Sequence, residues 1–206
     1  HRAYDLAPWG RGILDELGFE TEEIHDPHLL ERDLTVYDLV VLGWTQSQTT
    51  EDLTDRAEAR LWEAARAGTG FAGWHGMVAS FHASLPYAFL IGSSFVEHPG
   101  GEAVRVPFTV KIVDRDHPVT RGVEDFEVAS EQYYLHVDPA VPTLATTTFD
   151  GEPAVPWVAG VEMPPGYVQQ FGDGRFFFRF GGHHPEEVPR PGVTRLVRPG
   201  AGGGWS

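Results

Sequence analysis

Along the first half of the chain the apolar residues alternate between two periods. Leu6, Trp9, Ile13, Leu14 and Leu17 recur at helical spacing, with Pro8 in the first turn and Gly18 just past the end. The chain therefore opens on an amphipathic helix, weakened by Gly10 and Gly12. A brief strand is expected from Phe19 to Glu23. After a turn-rich connection, Tyr37-Asp38-Leu39-Val40-Val41-Leu42 is the continuous apolar run of a strand buried on both faces, ended by Gly43 and Trp44. Thr49 with Asp52 gives a capping-box signature before a helix carrying Leu53, Ala57, Leu61 and Ala65, which closes at Gly68. A small-and-apolar run, Thr69-Gly70-Phe71-Ala72-Gly73, then stops at Trp74-His75-Gly76 and turns helical. This β-α-β-α alternation predicts a three-layer, doubly wound α/β domain with right-handed crossovers. Its strands before Leu42 and Trp74 are central, parallel and neighbouring.

A helix is expected from about Met77 to Leu90, broken or kinked at Pro86, followed by a glycine- and serine-rich loop holding Phe95-Val96-Glu97-His98-Pro99. Val104, Val106, Phe108, Val110 and Ile112 then alternate strictly, as in a strand with one buried face. Beyond them the pattern changes to short runs, Phe126 to Ser130, Val141 to Phe149 and Trp157 to Glu162, with turns between them and no long helix. Phe171-Gly172-Asp173-Gly174-Arg175-Phe176 carries a hairpin signal between two aromatic-rich strands. Residues 189–206, rich in Pro and Gly, read as irregular.

The 206 residues are 41% hydrophobic and 22% charged, suited to one α/β core. Thirty acidic against fifteen basic residues give a formal charge of −15, which repels a phosphate backbone, so nucleic-acid binding is not expected. No apolar run has the length of a bilayer span. With no cysteine, disulfides, thiolate metal sites and a Cys nucleophile are excluded.

The polar residues worth attention gather at predicted strand ends. Gly73 and Gly76 would let the backbone make a sharp turn with positive φ, leaving His75 exposed at the carboxyl edge of the sheet, where open α/β sheets bind ligands. Glu97-His98, Glu131-Gln132-Tyr133-Tyr134-Leu135-His136 and Gly182-His183-His184-Pro185-Glu186 are further clusters. Imidazoles and carboxylates meeting in one cleft suit proton transfer near neutral pH, or a divalent metal bound through nitrogen and oxygen. A lone histidine near a strand end is more often a hydrogen-bonded packing residue; at His75 the turn tips the balance toward a site. Glu131 could serve as base or ligand while a tyrosine stacks on a sugar-like ring, and Trp44 and Trp74 could wall a pocket or simply be core.

Taken in order, these stretches resemble the ThuA-like family, named for trehalose utilisation, within the class I glutamine-amidotransferase-like superfamily. The resemblance is carried by Tyr37-Asp38-Leu39-Val40, Ala67-Gly68-Thr69-Gly70-Phe71-Ala72-Gly73-Trp74-His75-Gly76, His98-Pro99-Gly100-Gly101, Asp116-His117-Pro118-Val119-Thr120, Ser130 to Pro139, Gly172-Asp173-Gly174-Arg175-Phe176 and Gly182-His183. It implies a flavodoxin-like, mainly parallel sheet with antiparallel strands added in the second half, forming a single ThuA-like domain over residues 1–206 whose first strand lies upstream of the given chain. It places His75 at the turn where amidotransferases carry their Cys nucleophile. It further implies a cytoplasmic protein of carbohydrate metabolism acting on trehalose-like or keto-sugar substrates, with a small carbohydrate as ligand and room for self-association. His75, Glu131 and His183 are the expected catalytic residues, and His1, Trp44, Trp74, Glu97, His98, Tyr133, Tyr134, His136 and His184 the expected substrate contacts. His183 and His184 are alternatives for the functional imidazole. A divalent metal is compatible with this set. The contrasting reading is a non-catalytic sugar-binding or assembly module that kept the fold without the nucleophile.

Overall fold

The computed structural model describes residues 3–44, 53–101 and 104–179. Helix α1 spans Ala3–Glu16 and buries Leu6 and Ile13. Gly18, at φ 83°, ends it in the left-handed conformation that suits glycine. Pro8 lies inside the helix and not in its first turn. The expected strand from Phe19 to Glu23 does not form: the segment is held at the surface by side chains, Arg11 to Glu23 at 3.1 Å and Glu22 to both Arg32 at 2.9 Å and the Tyr37 hydroxyl at 2.6 Å.

Strand β1 (Leu39–Leu42) pairs in parallel with β2 (Gly70–Trp74), Val40 opposite Phe71. Between them α2 (Asp55–Ala67) buries Ala57, Leu61, Ala64 and Ala65 on one face and closes at Gly68, φ 105°. Its cap is Thr54, whose hydroxyl accepts the Ala57 N–H at 3.2 Å; the Thr49 and Asp52 signature lies outside the described residues. After β2 the single kinked helix is replaced by two pieces, a 3-10 turn (His75–Ala79) and α3 (Leu85–Ile91). Pro86 sits in the first turn of α3, where its missing N–H costs no helical bond, and Ser84 caps that turn.

Phe95 to Glu97 is not loop. It belongs to β3 (Ser93–Glu97), which pairs antiparallel with β6 (Tyr134–Val137), Ser94 opposite His136, with a bulge between Phe95 and Glu97. The remaining strands are β4 (Val106–Ile112), β5 (Phe126–Ser130), β7 (Thr143–Thr148), β8 (Glu162–Phe171) and β9 (Gly174–Arg179). The strict alternation of β4 is realised, with Phe108, Val110 and Ile112 buried. Trp157 lies in a short 3-10 turn (Pro156–Val158), 74% exposed, and not in a strand.

Among the described residues the sheet has seven strands in the order β1-β2-β9-β8-β7-β4-β5. Only β1/β2 and β2/β9 are parallel, so the sheet is mixed and mostly antiparallel, not mainly parallel. The reason is visible in the second half of the chain: runs joined by short turns can return only antiparallel, because a parallel return needs a crossover of a dozen residues or more. The β8–β9 hairpin closes at Phe171 opposite Gly174, with Gly172 at φ 62° in the turn. β1 is an edge strand among the described residues, half-buried except at Leu42, and not the central strand expected. β2 is interior, and Phe71 stacks on Phe176 of β9 with ring centroids 4.6 Å apart and planes 3° from parallel.

Candidate functional site

The site is built where β2 stops. Gly73 is required there by space: a Cβ would come within 2.8 Å of the Leu42 carbonyl oxygen and collide with the Met77 sulfur, so glycine lets the turn after β2 fold back tightly on β1. The positive φ falls on His75 itself, at 41°, and not on the flanking glycines. A side-chain-bearing residue in that region is strained by about 1 kcal/mol or more, which the surrounding contacts must offset. Ser80 supplies some of them, its Oγ lying 2.7 Å from the carbonyl oxygens of both Trp44 and Gly76, and the Tyr87 hydroxyl donates to the Met77 carbonyl at 2.8 Å.

His75 is consequently buried, 3% exposed, where an exposed edge position was expected. It is not buried among aliphatic groups. Its Nε2 lies 3.4 Å from Glu131 Oε2, and the Tyr133 hydroxyl lies 2.9 Å from its Nδ1 and 2.8 Å from its Nε2. Glu131 and Tyr133 belong to the three-residue link between β5 and β6. Gln132 pins that link to β7 by donating its amide to Thr147 Oγ1 at 2.9 Å and to the Thr148 carbonyl at 3.1 Å. The antiparallel ribbon brings in a fourth residue. His98 immediately follows β3, next to the start of β6, and its Nε2 approaches Glu131 Oε2 to 3.5 Å. Its ring meets those of Phe95 and Tyr133 at 4.6 and 5.0 Å, and Phe95 meets Tyr133 at 4.8 Å.

Two imidazoles thus reach one carboxylate oxygen whose side chain is 1% exposed. An isolated buried carboxylate would cost several kcal/mol, and two imidazoles within 3.5 Å are the neighbours able to offset that cost. Tyr133 fixes the His75 ring through its hydroxyl and packs against His98 through its face. Such a cluster can take up a proton at one imidazole and release one at the other. Among the described residues no group of three His, Asp or Glu side chains is placed to hold a metal ion.

The other expected site residues are scattered. Glu97 is exposed, its Oε1 accepting the His98 backbone N–H at 2.8 Å and standing 3.9 Å from His98 Nδ1. Tyr134 is half-buried against Phe149, and His136 is exposed on β6. Trp44 and Trp74 line a groove of about 330 Å³ between α1, the connector after it and β1, which also meets Leu14, Ile24, Val41 and Phe81. None of His75, His98, Glu131 and Tyr133 lines that groove. A cavity of only about 10 Å³ touches Tyr133 and Gln132. His1, His183 and His184 lie outside the described residues. Sequence reasoning missed Gln132 as the anchor of the link and Phe95 as the ring between the two imidazole-bearing segments; a polar residue alternating with Glu131 and Tyr133 was the available signal for the first.

A family model described as trehalose utilisation, ThuA, matches residues 1–202. The chain belongs to the ThuA family. Two solved structures of proteins described as ThuA-like, from Parabacteroides merdae and Bacteroides uniformis, superpose on this member with TM-scores of 0.71 and 0.72 at 17% and 18% identity. They cover 96% and 95% of this chain and 84% and 82% of their own. A glutamine amidotransferase from Thermotoga maritima is similar at a TM-score of 0.52 and 16% identity, over 81% of this chain and 66% of that one. At these identities the likeness is one of fold. No functionally curated protein matched the sequence. Against the amidotransferase comparison, this ThuA chain has no cysteine and carries His75 after β2. No helix among the described residues is long and apolar enough to cross a membrane.

Proposed function

We propose that this ThuA protein is a cytoplasmic enzyme that moves a proton on a trehalose-like or keto-sugar substrate, with His75 and Glu131 as its acid/base pair. The supporting observation is the burial of a carboxylate against two imidazoles from separate segments of chain. Packing alone does not need such a group, since ionisable side chains are costly to bury. An imidazole titrates near neutral pH, and general acid–base catalysis by a positioned side chain contributes about 10²- to 10⁴-fold. Trehalose and its keto derivatives, incubated with the protein and followed by NMR of the sugar, provide the assay. Turnover is expected in the wild type and a loss of about two orders of magnitude in Glu131→Gln. Turnover unchanged in that variant rules the pair out.

One observation favours a second reading. The groove walled by Trp44 and Trp74 is separate from the buried cluster, and aromatic walls of this kind suit the faces of a sugar ring. If the protein is a binding module, a sugar raises its melting temperature by mass action, Trp74→Ala abolishes the shift, and Glu131→Gln binds as the wild type does while no turnover occurs in either.

A further inference from the structure

We propose that Glu131, His98 and Glu97 form a proton path between His75 and solvent. This rests on the reading of His75 as an acid/base group, and it assigns the residues through which that group is recharged.

A buried imidazole that has taken up a proton must lose it before acting again, and only 3% of His75 is exposed. The four side chains are arranged in series. His75 Nε2 faces Glu131 Oε2 at 3.4 Å; the same oxygen faces His98 Nε2 at 3.5 Å; and His98 Nδ1 faces Glu97 Oε1 at 3.9 Å. The side chains of His75 and Glu131 are 4% and 1% exposed, and exposure then rises to 11% for His98 and 67% for Glu97. His98 therefore has one ring nitrogen turned inward and the other toward an exposed carboxylate. Imidazole suits that position because it can accept a proton on one nitrogen while releasing one from the other. The two inner separations, 3.4 and 3.5 Å, are slightly longer than hydrogen bonds, and the outer one, 3.9 Å, must shorten by more than half an ångström or be bridged by water for a proton to pass.

The transfer balances. Protonated His75 passes its Nε2 proton to Glu131 Oε2, Glu131 passes it to His98 Nε2, and His98 gives its Nδ1 proton to Glu97, which exchanges with water. The net change is protonated His75 and ionised Glu97 to neutral His75 and protonated Glu97, together with a switch of His98 from its Nδ1–H to its Nε2–H tautomer, which a flip of the ring or exchange of its nitrogen protons resets before the next transfer. Tyr133 holds the far side of the series, its hydroxyl beside His75 and its ring against His98. Among the described residues, Glu131, Glu97 and Tyr133 face His98, and Glu131 and Tyr133 face His75.

The test is the rate at which the His75 ring N–H exchanges with water, read by NMR on protein labelled with ¹⁵N-histidine. His98→Phe keeps a ring against Phe95 and Tyr133 and removes both proton-carrying nitrogens. Exchange should slow roughly tenfold or more, and added imidazole should restore part of it in His98→Ala, which leaves room for the ring, but not in His98→Phe. Glu97→Gln, at a surface position that leaves folding intact, should slow it several-fold. If His98→Phe fails to fold, Glu97→Gln and His98→Asn decide the matter. Exchange as fast in these variants as in the wild type overturns the path. The outcome is independent of any substrate: slowed exchange without turnover of sugars leaves the path standing and removes the enzyme reading, whereas turnover that needs His75 with exchange indifferent to His98 does the opposite.

Discussion

The hydroxyl of Tyr133 and the ring of His75, whose backbone stands at φ 41°, meet at the centre of the buried cluster. Removing the hydroxyl in Tyr133→Phe leaves the ring contacts with Phe95 and His98 intact and deprives a buried imidazole of its neighbour 2.8 Å away. The expected cost is about 1 kcal/mol or slightly more in a urea unfolding experiment, because an unmet buried polar group loses its partner without regaining water. His75→Asn separates strain from chemistry. Asparagine tolerates φ of 41° nearly as well as any residue except glycine, so the backbone strain stays the same, and a fall in melting temperature reports the imidazole lost beside Glu131 while proton-transfer activity falls with it. At this scale the sequence announced the cluster in part. Glu131 and Tyr133 stood out as polar and phenolic groups after a strand. The inward turn of His98 did not, because it depends on the register of a ribbon pairing residues about forty positions apart, which no local pattern encodes.

Among the elements, the turn after β2 is packed too closely for a Cβ at Gly73. Gly73→Ala must push against the Leu42 carbonyl, a backbone atom that cannot swing away, as well as the flexible Met77 side chain. A loss of about 1–3 kcal/mol is expected by chemical denaturation, and Met77→Ala in the same chain should recover only part of it, since the backbone contact remains. The helices α1 and α2, the alternation of β4 and the β8–β9 hairpin were legible because each is specified by residues close in sequence. The mostly antiparallel sheet was not. Two clear parallel strands in the first half dominated the expectation, and pairing between distant short runs leaves no periodic trace. Phe19 to Glu23 shows the same limit from the other side: extended character alone does not make a strand without a neighbour to bond.

At the scale of the whole molecule, two buried phenols set the alkaline limit of the fold. Burial, the largest cause for each, pushes Tyr87 and Tyr167 well above the ordinary tyrosine range. A raised folded-state pKa means that the stability contributed is fully present below the unfolded value, about pH 10, and is lost as the unfolded chain begins to ionise above it. Urea midpoints should therefore be flat from about pH 8 to about pH 9.5 and fall beyond. The ultraviolet titration of these two rings should coincide with unfolding. Tyr167→Phe should flatten that fall while costing about 1–2 kcal/mol at neutral pH, because Tyr167 donates to the Ile91 carbonyl at 3.0 Å and meets Ser93 Oγ at 2.7 Å.

Strand β9 touches two chapters of the chain at once, β8 across a two-residue turn and β2 across about a hundred residues. These pairings cannot form at the same speed, since closing a short hairpin takes microseconds and long-range pairing must first meet the entropy of a large loop. The hairpin is expected to assemble early and then wait, with Phe176 and Phe178 uncovered, until β2 arrives and Phe71 stacks on Phe176. Truncating Phe71 to Leu should accordingly speed unfolding and leave the folding limb of the chevron nearly unchanged, while truncating Val168 within the hairpin should slow folding. The interval between the two events is when this protein is most exposed to aggregation, and its length is set by the arrival of β2.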